Sequence, residues 1–107
     1  MRVAIYARVS TNDKGQDPEN QLHQLRDFAE KHGTIYKVYT EEVSGGKADR
    51  AQFKLLLLEA YQKKFDLVVF WRLDRFSREG ALATLRYLKE LKDQGVNYKS
   101  FTEPYLD

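Results

Sequence analysis

The chain has 107 residues, 42% of them hydrophobic and 32% charged, which is typical of one small globular domain rather than a disordered chain. It contains no cysteine, which excludes disulfide bridges, thiolate catalysis and cysteine-ligated zinc. The net charge of +2 is too small to indicate a nucleic-acid partner by itself. Because the sequence has no apolar run of membrane-spanning length and no visible signal peptide, we expect a cytoplasmic protein that does not contact a membrane.

Short segments of β-type residues alternate with longer segments of helical periodicity. Within the predicted strand at 66–71, residues 67–71 are continuously apolar, as in a strand buried on both faces. Asp17 followed by Pro18 is typical of a helix start, and Gly33 of a helix end. This alternation predicts an α/β fold, a single layered domain with a largely parallel sheet flanked by helices. In chain order, the sequence predicts a strand at 2–8, a loop at 11–18, a helix ending at Gly33, a strand at 35–40, a polar loop at 41–50, a helix at 51–64, a strand at 66–71, a helix at about 79–93 and a strand near 97–102.

The apolar faces of the three predicted helices supply candidate core residues. His23 and His32, nine positions apart, do not share a helix face, so we expect surface or helix-end histidines rather than a metal site. The Gly45-Gly46 pair in the polar loop indicates local mobility. The predicted core positions are Leu22, Leu25, Phe28 and Ala29 in the first helix, Phe53, Leu56, Leu57, Ala60 and Tyr61 in the second, and Leu82, Leu85, Leu88 and Leu91 in the third.

Polar stretches follow three of the predicted strands at their carboxyl ends, where parallel sheets form their binding sites. Ser10 lies two residues beyond Arg8 at the first of these ends. By position alone, a serine at such a place is more often a turn or capping residue than a nucleophile. The fold therefore predicts a site at this edge without assigning Ser10 a role.

The segment at 72–78 carries an arginine at every third position, and Arg75 and Arg78 would share one face of a helix. Arginine suits phosphate because its planar fork donates two parallel hydrogen bonds and stays charged. Positioned cations also stabilise the negative charge of a phosphoryl-transfer transition state, so several arginines can replace a metal ion. The alternative is that both arginines pair with Asp74 and Glu79 on a solvated surface.

Three motifs together, YARVST at 6–11, SGGKADR at 44–50 and RLDRFSR at 72–78, resemble the serine recombinase family of resolvases and invertases in order and spacing. The resemblance extends over essentially the whole chain. It implies a resolvase-type catalytic domain over residues 1–107, a piece of a longer protein whose DNA-binding region is absent.

The resemblance also implies roles for individual residues. Ser10 would be the nucleophile that forms a 5′-phosphoseryl link to DNA and frees a 3′-hydroxyl. Asp74 would orient an arginine or assist proton transfer at the leaving 3′-oxygen. The arginines that would hold the scissile phosphate are Arg8, Arg75 and Arg78, with Arg50 as a further active-site arginine.

Two supporting residues are implied by the same resemblance: Gln21 on the first helix, and Tyr6 as an aromatic on the first strand. A position on the helix surface explains Gln21, and core packing explains Tyr6, almost as well as a supporting role at the site. The implied partner is DNA, cut and rejoined by homodimers that pair into a tetramer. The implied chemistry needs no metal, no ATP and no small-molecule cofactor, because the covalent link conserves the phosphodiester energy.

Two other hypotheses remain open at this point. A metal-dependent nuclease could use Asp74 with Glu41, Glu42 or Asp49, since carboxylates near strand ends can hold magnesium. A non-enzymatic α/β interaction module would need these charges only for solubility. A nucleotide-binding P-loop is disfavoured, because the glycine spacing around Lys47 does not fit one.

Overall fold

A computed structural model describes the backbone of residues 1–10, 18–44, 47–48, 50–76 and 80–103, and the side chains of 1–8, 20–42, 50–73, 76 and 80–103. Gly45, Gly46, Asp17, Asp49, Ser77 and Arg78 thus lie outside the described residues. The elements are β1 (Arg2–Ser10), α1 (Pro18–Glu30), β2 (Thr34–Ser44), β3 (Lys47–Ala48), α2 (Ala51–Tyr61), β4 (Leu67–Phe70), α3 (Leu73–Phe76), α4 (Ala81–Asp93) and β5 (Asn97–Ser100).

Within the described residues, five strands form one sheet in the order β3-β2-β1-β4-β5. β1 is central and pairs in parallel with β2 and β4, and β4 pairs in parallel with β5. The two-residue β3 pairs antiparallel with the end of β2. The predicted α/β fold with a largely parallel sheet is confirmed.

Two apolar layers cover the faces of the sheet. On one face, Tyr6 and Phe70 of the sheet pack with Leu56 of α2 and Leu88 of α4. On the other, the alternate strand residues Val3, Ile5 and Val69 pack against Leu25 and Ala29 of α1. All four residues of β4 are buried, as its continuously apolar sequence predicts.

Among the described residues, none of the helices has the length and apolar composition of a membrane span.

The predicted loop at 41–50 is wrong in its first part, because β2 continues to Ser44. Glu41 and Glu42 pair in register with Arg8 and Val9, so β2 follows the full length of β1 despite its polar residues. Backbone pairing with a central strand outweighs the low strand propensity of glutamate here.

The predicted core face of the last helix is also partly wrong. Leu88 and Leu91 are buried, but Leu82 is 76% and Leu85 58% exposed, and Thr84 is buried instead. A spacing of three residues falls about 60° short of a helical turn, so successive leucines rotate around the helix and Leu82 lies roughly opposite Leu91.

The second helix differs from its prediction at its end. α2 stops at Tyr61 rather than 64, and Tyr61 is 71% exposed instead of in the core. Lys63 ends the helical path with a positive φ of 58°. Phe53, Leu56 and Ala60 are buried as predicted.

The two histidines lie on the surface and at the helix end, as predicted. His23 is exposed, and its Nε2 atom lies 3.5 Å from Oδ2 of Asp27, one turn along α1. His32, just past the helix end, packs its ring edge-on against Phe28 with centroids 5.0 Å apart.

Glu59 of α2 anchors a charged network on the β2 side of the core. Its Oε1 atom accepts a 2.6 Å hydrogen bond from the Tyr39 hydroxyl and lies 3.5 Å from Nζ of Lys37. Its Oε2 atom lies 3.8 Å from Nζ of Lys64. The Tyr39 hydrogen bond and the two lysines lower the pKa of Glu59 below its ordinary value of 4.5, although burial opposes them. A lowered folded-state pKa means that the ionised carboxylate stabilises the fold.

We expect Glu59→Gln to lower the free energy of unfolding by about 1 kcal/mol at pH 7, because two lysines lose their counterion. The stabilisation is fully present above the unfolded-state pKa and is lost as pH falls through the lower folded-state pKa. Urea unfolding between pH 7 and pH 3 should therefore show the variant and the wild type converging at acidic pH. Glu90→Gln, at an exposed position of α4, is the control and should change little at either pH.

Candidate active site

The carboxyl end of β1 lies beside the extended end of β2. In the register of these two strands, Arg8 pairs with Glu41 and Ser10, the last residue of β1, pairs with Val43. Arg8 is buried, with 7% of its surface exposed, and so is Glu41, with 3%. Strand pairing thus places a buried cation and a buried carboxylate side by side at this edge.

Glu41 ties three elements together. Its Oε1 atom accepts a 2.8 Å hydrogen bond from the Tyr6 hydroxyl of β1 and a 2.9 Å bond from the Phe53 backbone N–H of α2. That N–H lies in the first turn of α2, where backbone donors have no partner within the helix. Arg50, at the N-cap of α2, provides no side-chain cap. The carboxylate of another strand therefore caps this helix and lies at the positive end of its dipole.

Arg50 lies over the edge of the same cluster. Its guanidinium carbon is 4.0 Å from the centroid of the Phe53 ring, a cation–π contact that fixes the position of the charge. The Nε and Nη2 atoms of Arg50 are buried, and no atom of the described residues accepts a hydrogen bond from them. Two buried donors of one guanidinium thus have no acceptor in the described part of the chain.

The electrostatics of Tyr6 show that both arginines are near its hydroxyl. Burial raises the pKa of Tyr6 far above its usual range, and the hydrogen bond to Glu41 raises it further. The charges of Arg50 and Arg8 act in the opposite direction on this pKa. Tyr6 therefore stays neutral and donates a hydrogen bond to Glu41 across the physiological pH range.

Gln21 lies in the first turn of α1, at the edge of the sheet where β1 ends. It is 7% exposed, so its position is buried rather than on an open helix surface. Its Oε1 atom accepts no hydrogen bond from the described residues. Like Arg50, it has a buried polar side-chain atom with no hydrogen-bond partner among the described residues.

The short helix α3 packs against β1 through Phe76. The Phe76 ring is fully buried, with centroid distances of 5.9 Å to Tyr6, 5.1 Å to Phe53 and 4.7 Å to Phe70. The backbone of Asp74 and Arg75 belongs to this helix. α3 therefore brings the backbone of the arginine-rich segment to the same end of the sheet.

The structure thus brings Tyr6, Arg8 and Arg50 into one cluster, with Gln21 at the same edge. Of Ser10, Asp74 and Arg75 it gives the backbone position, while their side chains, and Arg78 entirely, lie outside the described residues.

Sequence reasoning missed the role of Glu41, which it considered only as a metal ligand. The signal that could have found it is its register opposite Arg8, which requires knowing that β2 continues past residue 40. In the structure, one oxygen of Glu41 already accepts two hydrogen bonds. Among the described residues, no group of three His, Asp or Glu side chains could hold a metal ion.

We expect Tyr6→Phe to lower the free energy of unfolding by about 1–2 kcal/mol, because the buried carboxylate of Glu41 loses the hydrogen bond from the Tyr6 hydroxyl. Urea unfolding at pH 7 measures this loss. Tyr61→Phe is the matched control, because its side chain is largely exposed, and it should unfold like the wild type. Equal stability of the two variants would contradict the role assigned to the Tyr6–Glu41 hydrogen bond.

Comparisons with known proteins agree on one family. The family model described as "Resolvase, N terminal domain" matches residues 3–107. The chain is similar to the crystal structure of the N-terminal catalytic domain of TP901-1 integrase, with a TM-score of 0.81 and 31% identity, covering 97% of this chain and 79% of that one.

Two curated relatives show the same similarity at the level of sequence. The "Serine recombinase gin" of Escherichia phage Mu is 31% identical over 98 residues, 92% of this chain and 46% of the relative. The "Transposon Tn3 resolvase" of Escherichia coli is 32% identical over 96 residues, 90% of this chain and 48% of the relative. The chain therefore spans about half the length of the curated relatives it matches.

Proposed function

The chain belongs to the resolvase N-terminal domain family of the serine recombinases, and we propose that it is the catalytic domain of an enzyme that cuts and rejoins DNA at specific sites. The observation that carries this proposal is the cluster at the carboxyl end of β1. There, the charges of Arg8 and Arg50 act on the buried Tyr6 hydroxyl, which donates a hydrogen bond to Glu41. Arg8 lies two positions before Ser10 on β1.

In the proposed reaction, the Ser10 oxygen attacks a DNA phosphorus and forms a 5′-phosphoseryl bond. The bond between that phosphorus and the 3′-oxygen breaks, the serine proton is lost, and the 3′-oxygen takes up a proton to leave as a hydroxyl. Position 10 belongs to the same alternating set of β1 positions as Tyr6 and Arg8, which supports a common site.

The arginines would bind the non-bridging oxygens of the scissile phosphate. Arg50 is suited to this because its cation–π contact holds the guanidinium in place, while no described residue accepts a hydrogen bond from its Nε and Nη2 atoms. Buried donors without acceptors cost free energy, and a bound phosphate would remove that cost. Preorganised donors of this kind stabilise the charge that develops in the transition state.

The remaining predicted residues complete this site in the proposal. Arg75 and Arg78 would add phosphate contacts from α3 and the segment after it, and Asp74 would orient an arginine or assist proton transfer to the leaving 3′-oxygen. Gln21, whose Oε1 atom accepts no hydrogen bond from the described residues, would support the site from α1.

Glu41 would position the arginines without contacting the DNA. The buried carboxylate of Glu41 lies opposite Arg8 in the register of β1 and β2 and would balance arginine charge in the free protein. Its Oε1 atom accepts hydrogen bonds from Tyr6 and Phe53, so the carboxylate would stay in place when the arginines bind a phosphate.

Rejoining would reverse the first step, with a 3′-hydroxyl attacking the phosphoseryl bond and releasing Ser10. Because each step exchanges one phosphoester for another, the proposal needs no ATP, and with several arginines in place it needs no metal. We further propose that homodimers pair into a tetramer on two DNA sites, that residues 1–107 act as the catalytic unit within a longer protein, and that the reaction takes place in the cytoplasm.

The test uses the full-length protein on its own recombination site, carrying a nick that prevents rejoining and traps the intermediate. A covalent protein–DNA adduct should form in the presence of EDTA and should disappear in Ser10→Ala. Ser77→Ala is the control and should still form the adduct. Cleavage abolished by EDTA and unaffected by Ser10→Ala would contradict the proposal and indicate a metal-dependent nuclease.

The arginines can be tested on the same substrate. We expect Arg8→Ala and Arg50→Ala each to slow adduct formation about 100-fold or more, because each removes preorganised donors from the phosphate. Arg75→Ala should have a comparable effect. Arg26→Ala, at an exposed position of α1, should cleave like the wild type. A wild-type rate in any of the first three variants would remove that arginine from the mechanism.

A further inference from the structure

A second carboxylate, that of Glu103, joins the end of β5 to the start of α3. Its Oε1 atom accepts a 2.8 Å hydrogen bond from the backbone N–H of Leu73, the first residue of α3. The same oxygen accepts a 2.8 Å bond from the hydroxyl of Ser100, the last residue of β5, whose side chain is buried. Neither the sequence motifs nor the proposed chemistry uses this residue.

The chain around Glu103 is itself fixed to the end of β4. Phe101 donates its backbone N–H to the Phe70 carbonyl at 2.9 Å, and Thr102 donates to the Trp71 carbonyl at 3.1 Å. The Thr102 hydroxyl donates to the same Trp71 oxygen at 3.0 Å. The ring of Phe101 also stacks on that of Trp71, with centroids 4.8 Å apart. Glu103 is therefore held by a rigid segment before it reaches α3.

Helix α3 cannot hold its own position, because four residues form too few hydrogen bonds to be stable alone. The bond from the Phe76 N–H to the Arg72 carbonyl, at 3.1 Å, closes its single turn. Phe76 anchors the far end of this turn in the core, between Tyr6, Phe53 and Phe70. At the near end, Leu73 would have an unsatisfied N–H without Glu103.

We propose that Glu103 is a positioning residue for the arginine-bearing turn of α3. Its carboxylate fixes the start of the turn while Phe76 fixes the end, so that the backbone of Asp74 and Arg75 has one position relative to β1. This inference rests on the proposed function, since only a phosphate held between Arg75 and Ser10 makes that position matter. Misplacing a binding group by about 1 Å can slow catalysis about 100-fold.

Three variants of the full-length protein test the inference. Glu103→Ala removes the acceptor, whereas Glu103→Gln keeps an oxygen that can accept from both Leu73 and Ser100. Thr102→Val is the matched control, because it removes only the hydroxyl bond to Trp71. The backbone N–H of Thr102 keeps its own bond to the Trp71 carbonyl, and Leu73 keeps its acceptor.

The first measurement is amide hydrogen exchange of the backbone N–H groups of Leu73 and Phe76, which needs no DNA. We expect exchange at both amides to be at least tenfold faster in Glu103→Ala. Glu103→Gln and Thr102→Val should stay within about threefold of the wild type. Unchanged exchange in Glu103→Ala would overturn the inference whatever the protein does to DNA.

The second measurement is the rate of adduct formation on the nicked site at saturating DNA. We expect Glu103→Ala to be at least tenfold slower with unchanged DNA affinity, and Glu103→Gln to restore the rate. Should Glu103→Ala fail to fold, Glu103→Asp, whose shorter side chain withdraws the carboxylate, is expected to show the same slow cleavage and fast exchange. If Glu103→Ala forms the adduct at the wild-type rate although its Leu73 and Phe76 amides exchange fast, the positioning role is also overturned.

The two proposals fail in different ways. If the wild-type protein forms no adduct that depends on Ser10, the proposed function is wrong, and the positioning role falls with it even where exchange shows that Glu103 fixes α3. If the wild type forms the adduct and Glu103→Ala forms it equally fast, the function stands and the positioning role is wrong.

Discussion

The buried carboxylate of Glu41 is the interaction on which the candidate site depends. It accepts hydrogen bonds from Tyr6 of β1 and from the first turn of α2, and it pairs in register with Arg8. A carboxylate with 3% exposure is costly to bury unless donors and opposite charges surround it. The elements that supply those donors therefore cannot move apart without exposing an unpaired charge to the core, and their arrangement is fixed.

A carboxylate also fixes the start of α3, as Glu41 fixes the start of α2. Two helices, α2 and α3, begin with backbone donors that a carboxylate from a distant part of the chain accepts, Glu41 in one case and Glu103 in the other. Local capping would fix only the start of a helix, whereas a carboxylate in a strand, or in the segment that follows one, also fixes the helix relative to the sheet. The aromatic contacts between Phe53 and Phe76 then connect the two helices within the core.

These constraints produce a site that is organised before any ligand binds. Arg50 is held over Phe53 with two buried donors that no described residue accepts, and Gln21 has a buried oxygen at the same edge. In the proposed reaction, a phosphate would meet groups that need little rearrangement, which is how fixed dipoles and charges lower a barrier. Membership of the resolvase N-terminal domain family fits this arrangement, and the curated relatives carry names of recombinases and resolvases.

The sequence by itself determined the α/β alternation, the parallel sheet with a fully buried β4, and the three motifs that resemble serine recombinases, because periodicity and motif spacing are local properties of the chain. The tertiary structure alone decided that β2 continues through Glu41, that Leu82 and Leu85 face outward, and that Glu41 and Glu103 hold the helices of the site. Tyr6 and Glu41 are 35 residues apart in the chain, and no local pattern reveals such a pair. Whether a polar residue can be buried depends on partners that only the folded chain brings within hydrogen-bonding distance.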